Sequence, residues 1–184
     1  MTIDPPADLP LLAAVLYDGD VEIEPVLAAV RDRLAANGRL RLGGVLPRDG
    51  DLLANGRRAM LLEDIVSGDA IDISQDLGAG ADSCILDVDG LTRARMAVAA
   101  AVEAGVDLVF VGKFAKQEIA GHGIREEIAQ AMAAGIATLV VLRAERLVDW
   151  RTFAGDDFCA LPADVEAIVA WAEAVADRRP DPTP

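Results

Sequence analysis

Histidine is almost missing from this 184-residue chain, with His122 as its one copy. Metal motifs that need two histidines are thereby excluded, and no Ser-His-Asp or Cys-His apparatus can be assembled without a supporting elbow motif. Cysteine is as scarce: Cys84 and Cys159 make neither a disulfide framework nor a Cys-rich zinc knuckle, and both suit buried apolar roles. No apolar run reaches the ~18 residues of a membrane span. Positive charge is in deficit, 17 Lys and Arg against 31 Asp and Glu, for a net −14. That balance argues against a phosphate backbone or an anionic lipid surface as partner and favours solubility. The acidic, proline-containing start, Met1-Thr-Ile-Asp-Pro-Pro-Ala-Asp8, is the opposite of a signal peptide, so a cytoplasmic protein is expected. Lysine is the most telling shortage. Against fifteen Arg there are two Lys, Lys113 and Lys116, both within Gly112-Lys-Phe-Ala-Lys-Gln-Glu118.

The chain is 53% hydrophobic, enough to bury one core. Residues 1–9 and 178–184 read as flexible ends, with a single α/β domain over 10–177. Leu11–Tyr17 is a continuous apolar run, as expected of a strand covered on both faces. An acidic loop from Asp18 to Glu24 leads to Pro25, which suits the first turn of a helix stopped by Gly38. Strands follow at 40–46, 106–111 and 136–142, helices at about 90–104, 124–134, 145–153 and 162–176. Trp150 and Trp171 fall on helical faces and are expected in the core. Residues 57–88 carry short β-like pieces split by Ser-Gly-Asp and Gly-Ala-Gly-Ala-Asp, the signature of a small antiparallel hairpin insert. Alternating strands and helices imply a three-layer, mostly parallel sheet, whose ligands bind beyond the carboxyl ends of the strands. Two loops leave such ends, 18–24 and 112–123.

The first loop lacks what a phosphate-binding Gly-x-x-x-x-Gly-Lys-Ser/Thr turn provides. Asp18-Gly-Asp-Val-Glu-Ile-Glu24 has no lysine or hydroxyl and repels a triphosphate, which disfavours ordinary P-loop ATPase activity. Asp18 and Asp20 are candidates for holding a divalent cation, Mg²⁺ being the expected one. A strand followed by Asp-x-Asp is also similar to haloacid-dehalogenase-type phosphatases, with Asp18 as nucleophile and Asp20 as acid/base. The later motifs of such enzymes are out of order here, and Asp156-Asp157 reads as a loop. The same acids equally suit capping a helix N-terminus.

The second loop runs Gly112-Lys-Phe-Ala-Lys-Gln-Glu-Ile-Ala-Gly-His-Gly-Ile-Arg125. Lys113, Lys116 and Arg125 supply charge, His122 a hydrogen bond, and Gly121 and Gly123 room for a ligand near the backbone. With the N–H groups of the following helix they form a candidate pocket for an oxyanion, phosphate or carboxylate. Alternatively the lysines pair with local carboxylates, Glu118, Glu126 or Glu127. Gln75, in Ser74-Gln75-Asp76 after a strand, either faces the same site or belongs to a turn.

Met60-Leu-Leu-Glu-Asp-Ile-Val-Ser-Gly-Asp, Ile73-Ser-Gln-Asp-Leu-Gly, Cys84-Ile-Leu-Asp and the lysine segment resemble a bacterial family, the domain of unknown function twenty-four seventy-eight. Its members are often encoded beside molybdate ABC transporters. The likeness covers about residues 11–172. The family typically reads Asn-Lys-Phe-Gly-Lys where this chain has Gly112 and Ala115 at the first and fourth positions. The layout is also remotely similar to P-loop nucleoside-triphosphatases of the thermophile, cancer-related type. That resemblance implies a P-loop-like fold with a β-hairpin insert and a degenerate phosphate loop.

Three functions follow as expectations. One is a non-hydrolytic or weakly active protein binding a small anion, molybdate-type or nucleotide, through Lys113, Lys116, Glu118, Gly121, His122, Gly123, Arg125 and Gln75, in molybdate handling. The second is a Mg²⁺-dependent phosphohydrolase using Asp18 and Asp20. The third is a regulatory interaction protein without a small ligand. The expected partners are a small anionic ligand and a second copy in a homodimer, not nucleic acid and not a membrane interior.

Overall fold

A computed structural model describes residues 9–53, 56, 58–75 and 85–177. Cys84, Asp76, residues 1–8 and the tail 178–184 lie outside the described residues, as does the side chain of Gln75. The elements are β1 (Leu12–Tyr17), α1 (Ile23–Asn37), β2 (Leu42–Leu52), β3 (Arg58–Asp64), β4 (Ala70–Asp72), β5 (Ser74–Gln75), β6 (Ile85–Leu86) and α2 (Val88–Glu103), followed by β7 (Leu108–Lys113), α3 (Lys116–Ile119), α4 (Arg125–Ala133), β8 (Ala137–Arg143), a 3₁₀ turn (Ala144–Arg146), α5 (Leu147–Ala154), β9 (Cys159–Pro162) and α6 (Val165–Ala176).

Seven strands form one sheet in the order β4-β3-β2-β7-β8-β1-β9. From β2 to β9 neighbouring strands are parallel, and β3 and β4 are antiparallel. The antiparallel pieces expected as an insert thus continue the main sheet, because β2 runs on to Leu52 and pairs with β3 from Val45↔Asp64 to Leu52↔Arg58. The small β5–β6 pair stands apart from it.

The central strands are apolar on both faces because both faces are covered. In β1, Leu12 and Ala14 join one buried cluster with Ala94 and Val98 of α2, Ile128 of α4 and Trp150 of α5. Ala13, Val15 and Tyr17 join the other, with Leu27, Val30 and Leu34 of α1 and Ile168, Trp171 and Ala172 of α6. Leu9, expected in the flexible arm, packs against this second cluster.

Three local differences from the sequence reading have simple causes. Strand β9, where no strand was expected, pairs in parallel with β1 from Ala13↔Cys159 to Leu16↔Pro162; four residues at a sheet edge carry too short a pattern, and the edge tolerates Pro162. Helix α6 starts at Val165 rather than Pro162, because the Asp164 carboxylate accepts the Ala167 N–H and caps it. The lysine segment, read as a loop, contains the one-turn helix α3.

Candidate functional site

Strand β7 is where the site begins. Its register against β8 shifts between Phe110 and Lys113, and Gly112 in that interval has φ +84°. A bulge of this kind re-aims the residues that follow it. Glycine and asparagine are the residues that adopt positive φ most readily, which gives a backbone reason for Gly112 where the family's pattern has Asn. Ala115, at φ −140°, is in extended backbone that needs no glycine.

Beyond the bulge, Phe114 is buried by aromatic rings: its centroid lies 5.1 Å from Trp150, edge-on, and 5.6 Å from Phe153, stacked. Trp150 also meets Phe158 edge-on at 5.9 Å. This cluster anchors one end of the lysine segment. Glu118 anchors the rest. Buried at 6% exposure, its carboxylate accepts the Ala115 N–H (2.9 Å) and the Ile124 N–H (3.2 Å). Burial pushes its carboxyl pKa up, against the pull of those N–H groups. A Cβ on Gly123 would stand 2.0 Å from Glu118 Oε1, so this glycine makes room for an internal carboxylate.

The two strand-end loops meet. Lys113 forms an ion pair with Glu24 in the first turn of α1, and its Nζ lies 5.8 Å from the centre of the Tyr17 ring. Arg143, at the end of β8, places its guanidinium carbon 5.7 Å from the same ring and reaches the β1–α1 turn beside Gly19. Desolvation alone would raise the Glu24 carboxyl pKa; the Lys113 hydrogen bond and charge, together with hydrogen bonds from the backbone of Glu24 and Ile23, more than offset it and hold the value down. The side chain of the N-cap residue Glu22 makes no capping hydrogen bond, and it is Glu24 in the first turn whose carboxylate interacts with the backbone N–H groups of Ile23 and Glu24.

These groups line a cleft of about 610 Å³ at the carboxyl ends of β1, β7 and β8, extending along β2 and β3. Six cationic side chains line it, Arg48, Arg58, Lys113, Lys116, Arg143 and Arg146, against the four carboxylates of Glu24, Asp49, Glu118 and Glu145. Glu24 is paired with Lys113, Glu118 with backbone N–H groups and Glu145 with Arg146 at 3.7 Å, while Arg48 faces Glu63 at 3.8 Å. In a chain of net charge −14 this is a local reversal of sign.

Of the expected site residues, Lys113, Lys116 and Glu118 line the cleft. Gly121, His122, Gly123 and Arg125 are not among its lining residues. His122 is exposed, and the Arg125 guanidinium covers Phe153 at 4.5 Å and donates to the Glu118 carbonyl. Gln75 lies in β5. Asp18 and Asp20 are exposed and outside the lining, the Asp18 carbonyl closing a turn onto the Val21 N–H. The local pairings considered for the lysines are not formed: Glu126 and Glu127 bind Arg95 instead, at 2.9 and 2.7 Å. Sequence reasoning missed Arg48, Arg58, Arg143 and Arg146. For Arg143 a signal existed, the first charged residue after the apolar run 136–142, at a strand's carboxyl end.

A Mg²⁺ ion held in the P-loop manner does not fit these residues. The β1–α1 turn has no hydroxyl side chain, and β7 ends in Lys113. Asp18 and Asp20 offer two exposed carboxylates; among the described residues no group of three or more His, Cys, Asp or Glu is placed to hold a metal. No helix of the described residues is long and apolar enough to cross a membrane.

Residues 12–171 match the family model described as "Protein of unknown function (DUF2478)". The chain belongs to this family. A curated relative, the Molybdenum import ATP-binding protein ModC 2 of Bradyrhizobium diazoefficiens, is 38% identical over 163 residues, 87% of this chain and 18% of that protein. The chain therefore spans about a fifth of the length of that relative. Among solved structures, THEP1 from the hyperthermophile Aquifex aeolicus superposes with a TM-score of 0.64 at 12% identity, over 88% of this chain and 98% of that one. At that identity the likeness shows the fold: three layers around a mostly parallel sheet, as the P-loop-like expectation required.

Proposed function

We propose that this family member is a cytoplasmic, P-loop-like protein with a degenerate phosphate loop that binds a small anionic ligand, a molybdate-type oxyanion or a nucleotide, without hydrolysing it or with weak turnover. The observation that carries the reading is the gathering of six cations around one cleft at the carboxyl ends of the strands, in a strongly acidic chain. Lys113 and Arg143 supply charge beside the β1–α1 turn, where a P-loop protein uses backbone N–H groups. Lys116 adds an exposed point charge to the lining. The relative named for molybdenum import supports a role in molybdate handling.

Titration calorimetry with molybdate, tungstate, phosphate, ATP and GTP tests the reading. At least one is expected to bind, and Lys113→Ala with Lys116→Ala should abolish that heat. Saturating ligand at 100 times its Kd should also stabilise the fold by about 2.7 kcal/mol. Silence from every anion in both assays would favour a regulatory protein without a small ligand.

A further inference from the structure

We infer that the cleft takes an aromatic ring compound carrying an anionic group, rather than a bare inorganic oxyanion. The inference rests on the anion-binding reading and names its ligand class.

Size is the first argument. At about 30 Å³ per water, a four-oxygen anion fills roughly 100 Å³. The cleft holds about 610 Å³, within the range of about 300–1,000 Å³ usual for organic ligands. A lone oxyanion would leave most of it to water.

Strand order is the second. Reading across the sheet from β1 through β8 to β7, the lining contains Tyr17, Arg143 and Lys113. On the far side of β7, beyond β2, it contains Met60 of β3, Ile73 after β4 and Leu91 of α2, all left half-buried. Arg48 lies on β2 between the two groups, opposite Leu61 and beside the Asp49↔Met60 pair, and Arg58 sits farther along β3, where it donates to the Gly50 carbonyl. The lining thus carries an apolar patch of Met60, Ile73 and Leu91 with cations around it, Lys113 and Arg143 towards β8 and Arg48 and Arg58 on the hairpin itself. Half-buried apolar surface in a concave site is stabilised by a covering apolar body, and the neighbouring cations fix that body's charged end.

The experiment is calorimetry on the full chain with inorganic phosphate, molybdate, phenyl phosphate and AMP. Phenyl phosphate or AMP is expected to bind at least tenfold tighter than inorganic phosphate, with a more negative heat-capacity change. Met60→Glu should weaken the ring compounds about tenfold and leave inorganic phosphate unchanged, whereas Lys113→Ala should weaken all of them. Leu91→Ser gives the same readout if Met60→Glu fails to fold. Molybdate or phosphate binding as tightly as the ring compounds, or apolar-patch variants that affect every anion alike, would overturn the inference while leaving the anion site standing. Binding by none of the probes would sink the anion site and the inference together.

Discussion

Lys113 and Glu24 are 89 residues apart in the chain and form one ion pair at the edge of the cleft. Glu24 is in effect an anion already supplied by the protein, and a bound ligand must compete with it for Lys113. Glu24→Gln is therefore expected to tighten anion binding, by up to about tenfold or ~1.4 kcal/mol, measured by calorimetry. The pair also carries a pH signature. The Glu24 carboxyl sits below its ordinary value of 4.5 in the folded chain. Its contribution to stability is present above that value and is lost as pH falls through the lowered one. Urea midpoints measured from pH 6 downward should fall more steeply for the native chain than for Glu24→Gln. Glu118 has the opposite sign, since burial raises its carboxyl pKa. Its ionisation is a penalty that sets in as pH rises through and above 4.5. Lys113 was readable in the sequence as one of two lysines. Its partner was not, because no local spacing brings residue 24 to residue 113.

Within single elements, the lysine segment is held by its own buried carboxylate and by one glycine. Gly123→Ala would push a methyl group against Glu118 Oε1 and displace its two backbone hydrogen bonds. A loss of about 1–3 kcal/mol is expected in denaturant unfolding, from N–H groups left unpaired. Gly112 sits at positive φ in the β7 bulge, so Gly112→Asn should be near neutral and Gly112→Val should cost about 1–2 kcal/mol. At α6, Asp164→Ala removes the cap on the Ala167 N–H and should cost about 1 kcal/mol. The apolar runs of β1, β7 and β8 were legible because a strand covered on both faces has no polar positions to obscure it. Strand β9 and helix α3 were not. Each is about four residues long, and each exists through contacts made elsewhere: pairing with β1 for the strand, the Glu118 carboxylate for the helix.

Across the whole molecule, an acidic shell surrounds a cationic cleft, so added salt should act in opposite directions on stability and on binding. Raising ionic strength from ~0.01 to ~0.15 M shortens the Debye length from about 30 to about 8 Å. Self-repulsion at net −14 is then screened and the melting temperature should rise. Attraction between the cleft and an anion is screened too, and the Kd should increase over the same range. If both observables moved towards stabilisation, the cleft would not be acting as a cationic site.

Composition and periodicity by themselves determined the layered α/β class, the main parallel strands and the gathering of both lysines in one segment at a strand's end. Each of these depends on the order of residues along a few turns of chain, where apolar spacing and glycine position act directly. The tertiary structure decided which side chains share a cleft. Arg143 ends β8 and Arg146 follows it, Arg48 and Arg58 belong to a hairpin continuous with the sheet, and Glu24 lies in the first turn of a helix. They converge because parallel strands ending on the same side deliver residues from distant segments to one place. That convergence is a property of strand order, and strand order is set by packing between elements rather than by the sequence within any one of them.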